Sequence, residues 1–154
     1  EGYPLFLELA EGAGLDAKWY GHCGDDDGHW GGNAPTTPAV AQNMHAARLA
    51  YHWKRWSDGY GHVIHNWASI GRPLLTTATY YADKLAAPLF VEGVTSFDLE
   101  RHTTDEMRAI VQRLAHDDDY YRMICTNVAA RFREVVDFDS EAEAIGSMLA
   151  DVLA

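Results

Sequence analysis

Positive charge is scarce in this sequence. Only 12 Lys and Arg stand against 23 Asp and Glu, for a formal net charge of −11. Binding to a nucleic-acid backbone draws on many such cations, so DNA and RNA are excluded as expected partners. Long apolar runs are missing too, so no stretch reads as a membrane span. The start carries no charged-then-apolar leader, and it opens on Glu1 rather than Met, which reads as a processed or excised piece. There are 2 cysteines, Cys23 and Cys125, far apart and without metal-ligand spacing. They read as free thiols in a reducing compartment, with a single disulfide as the alternative. The expected location is the cytoplasm. Hydrolase, nucleotidase and dinucleotide motifs (Gly-x-Ser-x-Gly, Gly-Lys-Ser/Thr, Gly-x-Gly-x-x-Gly) do not occur, so those three readings lack a motif.

What is present is ordinary globular material. The chain has 154 residues, 47% hydrophobic and 23% charged, enough for one domain, residues 1–154, with a buried core. Tyr3 to Ala10 reads as a helix with Pro4 in its first turn and a glycine stop at Gly12 and Gly14. A short strand is expected over Ala17–Gly21, followed by a glycine- and acid-rich loop containing Asp25, Asp26 and Asp27. Thr37 can cap a second helix through Met44, with Pro38 at its first position. Ala47–Trp53, Pro73–Thr79 and Leu89–Val91 read as strands. Three amphipathic helices then follow, announced by Thr103 with Glu106, by Asp117–Asp119, and by Ser140 with Glu143. They are expected to pack on the domain and take no part in chemistry. Strands alternating with helices argue for an α/β fold, a parallel sheet with helices on both faces that ends in a run of C-terminal helices.

The stretch with chemical character is Asp58-Gly59-Tyr60-Gly61-His62, running on through Asn66 to Gly71-Arg72-Pro73. Two glycines allow a sharp turn, and a helix beginning at His62 aims unpaired amides and a positive dipole end at it. That geometry suits a phosphate. Helical spacing places His62, Asn66 and Ser69 on one side and Val63, Trp67 and Ile70 on another. The apolar side is expected to meet the sheet, leaving His62 and Asn66 toward the cleft.

These residues resemble a family motif. Asp58-Gly59-Tyr60-Gly61 is similar to the acid-Gly-aromatic-Gly turn of GT-B-fold glycosyltransferases of the retaining, metal-independent kind, and Ala68-Ser69-Ile70-Gly71-Arg72-Pro73 to the step that follows it. The likeness covers most of residues 45–154 and implies the Rossmann-like, C-terminal, donor-binding half of such an enzyme. By this resemblance, the amides around Gly59, Tyr60, Gly61 and His62 hold the diphosphate of a nucleotide sugar. Asp58 contacts the donor sugar, as the catalytic-site acid, and Asn66 stands where the family has a ribose-binding glutamate. No metal or other cofactor is implied; the nucleotide-diphosphate sugar is the donor substrate. The family's opening strand, its Arg/Lys pair and its acceptor domain have no counterpart here. A partner chain or a missing N-terminal domain would then supply the acceptor site, which the sequence does not name, and this chain alone would be inactive.

Lys54 and Arg55 are the nearest cations to the turn, with Arg72 beyond it, and they read either as phosphate contacts or as solvated strand-end charges. Asp25–Asp27 reads as a solvated loop before it reads as a metal site. His52, His62 and His65 lack the glutamate of a zinc-binding His-Glu-x-x-His pattern. Tyr80 and Tyr81 are either packing or a stacking surface for base or sugar. Two other readings stand beside the donor domain: a non-catalytic binding or assembly module of the same descent, and a sugar-nucleotide epimerase using His62 or His65 as acid–base group.

Overall fold

The computed structural model describes residues 2–20, 28–34, 36–56 and 60–153. Its elements are α1 (Gly2–Ala13), α2 (Thr37–Ala46), β1 (Ala50–His52), α3 (His62–Ser69), β2 (Leu74–Thr76), β3 (Ser96–Asp98), α4 (Thr104–His116), α5 (Asp118–Val135) and α6 (Phe138–Leu153), with 3₁₀ turns at Ala78–Tyr81 and Ala87–Leu89. The strands form a parallel sheet in the order β1-β2-β3. Ala50 pairs with Leu74 and Leu74 with Ser96, down to His52, Thr76 and Asp98 at the carboxyl edge.

That register sorts the side chains, because neighbours across a parallel sheet share a face. Tyr51, Leu75 and Phe97 point one way, and the Tyr51 hydroxyl donates to the Gly2 carbonyl of α1 at 2.5 Å. Its burial there pushes the Tyr51 phenol pKa well above the usual value. Helix α4 fastens to α1 on this side through Arg108 to Glu8 at 2.8 Å and Gln112 to the Gly12 carbonyl at 2.9 Å. On the other face Leu74 and Ser96 meet Ile64 and Ala68 of α3 and Val128 of α5 around one small cavity. Every residue of β2 and β3 is buried. The expected α/β sheet with helices on both faces is the observed one.

Several boundaries differ, each for a local reason. Ala17–Gly21 is not a strand of the sheet: Trp19 makes only an isolated bridge to Trp30, and residues 21–27, with Cys23 and the three aspartates, lie outside the described residues. Helix α2 is capped by Thr36, whose side chain accepts from the Ala39 amide, one residue earlier than Thr37. The expected strands at Ala47–Trp53 and Pro73–Thr79 shrink to three residues each, because the Ala47 amide still closes α2 and Ala78 begins a 3₁₀ turn. Leu89–Val91 is no strand at all. Pro88 lacks the amide a ladder needs and sits in the 3₁₀ turn Ala87–Leu89, so the third strand falls instead at Ser96–Asp98. Helix α6 starts at Phe138, its first turn held by Asp137, which accepts from the Ser140 amide and hydroxyl at 3.1 and 2.7 Å. Its apolar residues Phe138, Ile145, Met148, Leu149 and Val152 face solvent, so α6 does not pack as α4 and α5 do. Cys125 of α5 is a half-buried free thiol.

The caps of the three tail helices make a measurable prediction. Backbone amides of Thr103, Tyr120 and Ser140 hold the Glu106, Asp117 and Asp137 carboxyls below the usual carboxylate range. A lowered native pKa contributes stability that is complete above the unfolded value of about 4 and lost as pH falls through the native one. The thermal midpoint followed by circular dichroism should therefore hold level from about pH 7 to 5 and fall below about pH 4.

Candidate functional site

All three strands end at one edge, and the chain after each end is tied to the next. After β1, the Lys54 amide donates to Thr77 Oγ1 at 3.2 Å, and the Thr77 hydroxyl donates back to the Lys54 carbonyl. After β2, the Ala78 amide and the Thr79 hydroxyl donate to the two Asp98 oxygens at 3.2 and 3.0 Å. After β3, the Glu100 amide also donates to Asp98, at 3.0 Å. Asp98 is 6% exposed, a buried carboxylate satisfied by three donors from two loops.

Helix α3 begins at this same edge, since it runs back against the strand it follows. Its N-cap, Gly61, has φ 81 and ψ 42, the left-handed region, and offers no side-chain cap. The first intrahelical bond is His65 N–H to the Gly61 carbonyl at 3.0 Å, so the amides of His62, Val63 and Ile64 have no acceptor within the helix. Tyr60 lies against His62 and His65, with ring centroids 4.6 and 4.9 Å away. His65 Nδ1 is 3.0 Å from the Gly61 carbonyl, which places its proton on Nδ1. An aromatic group thus sits beside a helix start whose first-turn amides have no acceptor within the helix, an arrangement suited to an anion carrying a planar or ring-shaped substituent.

The residues expected at the site fall into three groups. Tyr60, Gly61 and His62 come together at the α3 start. Asn66 is on α3 and exposed, and the buried side of that helix is Ile64 and Ala68, with Trp67 half-buried against the core and Val63 turned outward. The i, i+4 pair at 64 and 68 outweighs the bulkier residues because α3 inserts between β2 and α5, where small and branched side chains fit. Val63 is 39% exposed. Asp58 and Gly59 lie outside the described residues.

The cations separate as well. Arg55 is held by Glu100, with its Nη2 and Nε at 2.8 and 3.1 Å from Oε1, and lies over the Trp53 ring at 4.9 Å. This pair spans from the β1 end to the β3 end. The Lys54 side chain is half-buried and carries no partner among the described residues. Arg72 is at the far end of α3, bonded to the Tyr121 hydroxyl and 3.4 Å from the His45 carbonyl, away from the turn. Tyr81 is core, fully buried, with its hydroxyl 3.0 Å from His52 Nε2. Among the described residues no three His, Cys, Asp or Glu side chains converge as a metal site. No helix among them is long and apolar enough to cross a membrane.

Asp98, Thr79, Glu100 and Arg101 were not among the expected site residues. The signal was the pattern Ser-Phe-Asp-Leu-Glu-Arg, a short strand running into charge, masked by the longer apolar run at Leu89.

No protein-family model matches the chain, and no curated protein sequence matches it. Among solved structures, the HepE protein of Anabaena in complex with UDP-glucose matches with a TM-score of 0.60 and 20% identity, covering 79% of this chain. The same protein in complex with UDP matches with a TM-score of 0.59 and 20% identity. The chain spans 32% of the length of those structures. The likeness is one of fold.

Gly61 tests how the α3 start is built. A Cβ there would come 2.9 Å from the Ala86 Cβ, at a backbone angle that side chains rarely adopt. Gly61→Ala should cost about 1–3 kcal/mol in urea unfolding, since strain and overlap add.

Proposed function

We propose that this chain is the donor-binding domain of a glycosyltransferase, holding a nucleotide-diphosphate sugar whose glycosyl group passes to an acceptor bound elsewhere. The observation that carries this reading is the α3 start. There, a left-handed glycine and first-turn amides without intrahelical acceptors stand at the carboxyl edge of a parallel sheet, where open α/β sheets bind their ligands. The fold shared with a protein solved with UDP-glucose supports it. The motif supports the finer placement in the retaining, metal-independent GT-B class.

In this reading the His62, Val63 and Ile64 amides hold the diphosphate as it leaves, doing with backbone dipoles what other enzymes do with a metal ion. Lys54 supplies the cation, because Arg55 is already committed to Glu100. Tyr60 and His62 flank the phosphates. Asp58 takes sugar hydroxyls, and Asn66 meets the ribose through an uncharged amide. Retaining transfer then waits on an acceptor domain that this chain does not contain, as a preceding domain or partner chain.

Calorimetric titration with UDP, GDP and ADP and their sugars tests this. Binding of at least one is expected, and a folded sample that binds none overturns the reading. Lys54→Ala should weaken the bound nucleotide by about tenfold, the worth of a charge-assisted bond, and Arg55→Ala by clearly less. Asn66→Glu should tighten it by about fivefold, through a charged acceptor for ribose hydroxyls. The exposed, neutral Asn66 and the committed Arg55 favour a second reading, a non-catalytic binding module of the same descent. Nucleotide affinity unchanged by Asn66→Glu is the result that selects it.

A further inference from the structure

Beyond the ends of β2 and β3 lies a cleft of about 320 Å³ lined by Thr79, Asp98, Glu100 and Arg101. Small-molecule sites run from about 300 to 1,000 Å³, so the cleft stands at the small end of that range, the scale of one sugar ring. Its polar groups are only partly used. Asp98 Oδ1 is filled by the Ala78 and Glu100 amides, but Oδ2 takes only the Thr79 hydroxyl and keeps a lone pair. Glu100 Oε1 takes both Arg55 nitrogens, leaving Oε2 without a partner among the described residues. Thr79 Oγ1, having spent its proton on Asp98, can still accept. The Arg101 side chain is exposed and unpaired among the described residues, and its amide is tied to the Asp98 carbonyl at 3.1 Å.

We infer that this cleft is a subsite for a neutral hexopyranose. Hydroxyl groups both donate and accept, and the lining of the cleft offers both kinds of partner. Glu100 Oε2, Asp98 Oδ2 and Thr79 Oγ1 accept, while Arg101 donates. A phosphate meets the opposite situation. It would face two carboxylates, one of them buried, with a single uncommitted guanidinium to offset them. Asp98 is held by three donors, and Glu100 by an arginine that itself lies over Trp53. Fixed acceptors of this kind select among epimers, because a hydroxyl on the wrong face leaves a carboxylate unpaired. The cleft needs no nucleotide, and the inference is independent of the donor reading.

The test is amide-resolved NMR on the whole chain, without nucleotide, titrated separately with methyl glucopyranoside, methyl galactopyranoside and inorganic phosphate. One of the glycosides should shift the amides of Thr79, Asp98, Glu100 and Arg101 with millimolar affinity, and phosphate should leave them in place. Glu100→Gln and Arg101→Ala, each retaining the native spectral dispersion elsewhere, should weaken that glycoside about fivefold. If neither glycoside moves these amides, if phosphate moves them as strongly, or if both variants bind the glycoside as the parent does, the inference fails. Because the experiment contains no nucleotide, its outcome is separable from that of the calorimetric titration above.

Discussion

A parallel sheet three residues deep leaves a difficulty at its carboxyl edge. Beyond Thr76 and Asp98 the ladder ends within a buried layer, and the amides just past it still need acceptors. Asp98 meets that need. Its carboxylate draws in the turn after β2 through Ala78 and Thr79 and the turn after β3 through Glu100. Thr77 does the same for the turn after β1 through the Lys54 backbone. The edge is thus a chain of side-chain-to-backbone bonds running from β1 to β3, closed over the top by Arg55 and Glu100. That surface ion pair adds at most about 1 kcal/mol, so its part is to set position more than stability. The loops that would face a ligand are held by bonds they cannot easily exchange with water.

Behind that edge the two helical layers act differently. On the α1 and α4 side, long polar side chains reach the backbone of the partner helix, as Gln112 does to Gly12 and His116 to Ala13. On the α3 and α5 side the contact is close and apolar. Gly71, at φ 66, ends α3 so near α5 that a Cβ would lie 3.3 Å from the Ala129 Cβ. A helix so short gains little from its own propensity, and its direction is set by that packing and by the glycine at each end. The two glycines therefore aim the N-terminus of α3, and with it the first-turn amides, at the carboxyl edge.

The type and order of the helices were legible because their signals are local. Thr103 with Glu106 forms the capping box that their spacing implies, and Asp117 caps α5. Strand edges were harder, because tertiary bonds end them. Thr77 reads as a fifth strand residue until its hydroxyl turns to the Lys54 backbone, and Leu89 reads as sheet core although it is buried away from the ladder. The α3 start was visible as glycine, aromatic, glycine, histidine. Asp98 and Arg101 were not, since a three-residue strand has no period to detect and its neighbours reach it from twenty residues earlier. The face of α3 was misjudged for a related reason. Trp67 outweighs Ile64 in bulk, but Ile64 and Ala68 line the space against β2 and α5 while Trp67 packs half-buried at the side of the core.

A chain of net charge −11 is a poor host for an anion on average, and the proposed phosphate site depends on distance to overcome that average. At physiological ionic strength a charge is screened beyond about 8 Å, so the average charge of the chain matters less to such a site than the groups within that range. The proposal rests on the first turn of α3, with its oriented amides, and on the half-buried Lys54 two residues past the end of β1. The preference proposed at the β3 end is the opposite one, because Asp98 and Glu100 line that cleft with Arg101. The two proposals together give one sheet edge two chemistries, anion-binding at the helix and polyol-binding at the carboxylates. Each follows from its own local groups, oriented amides at the helix start and carboxylates at the strand end, and neither requires the other.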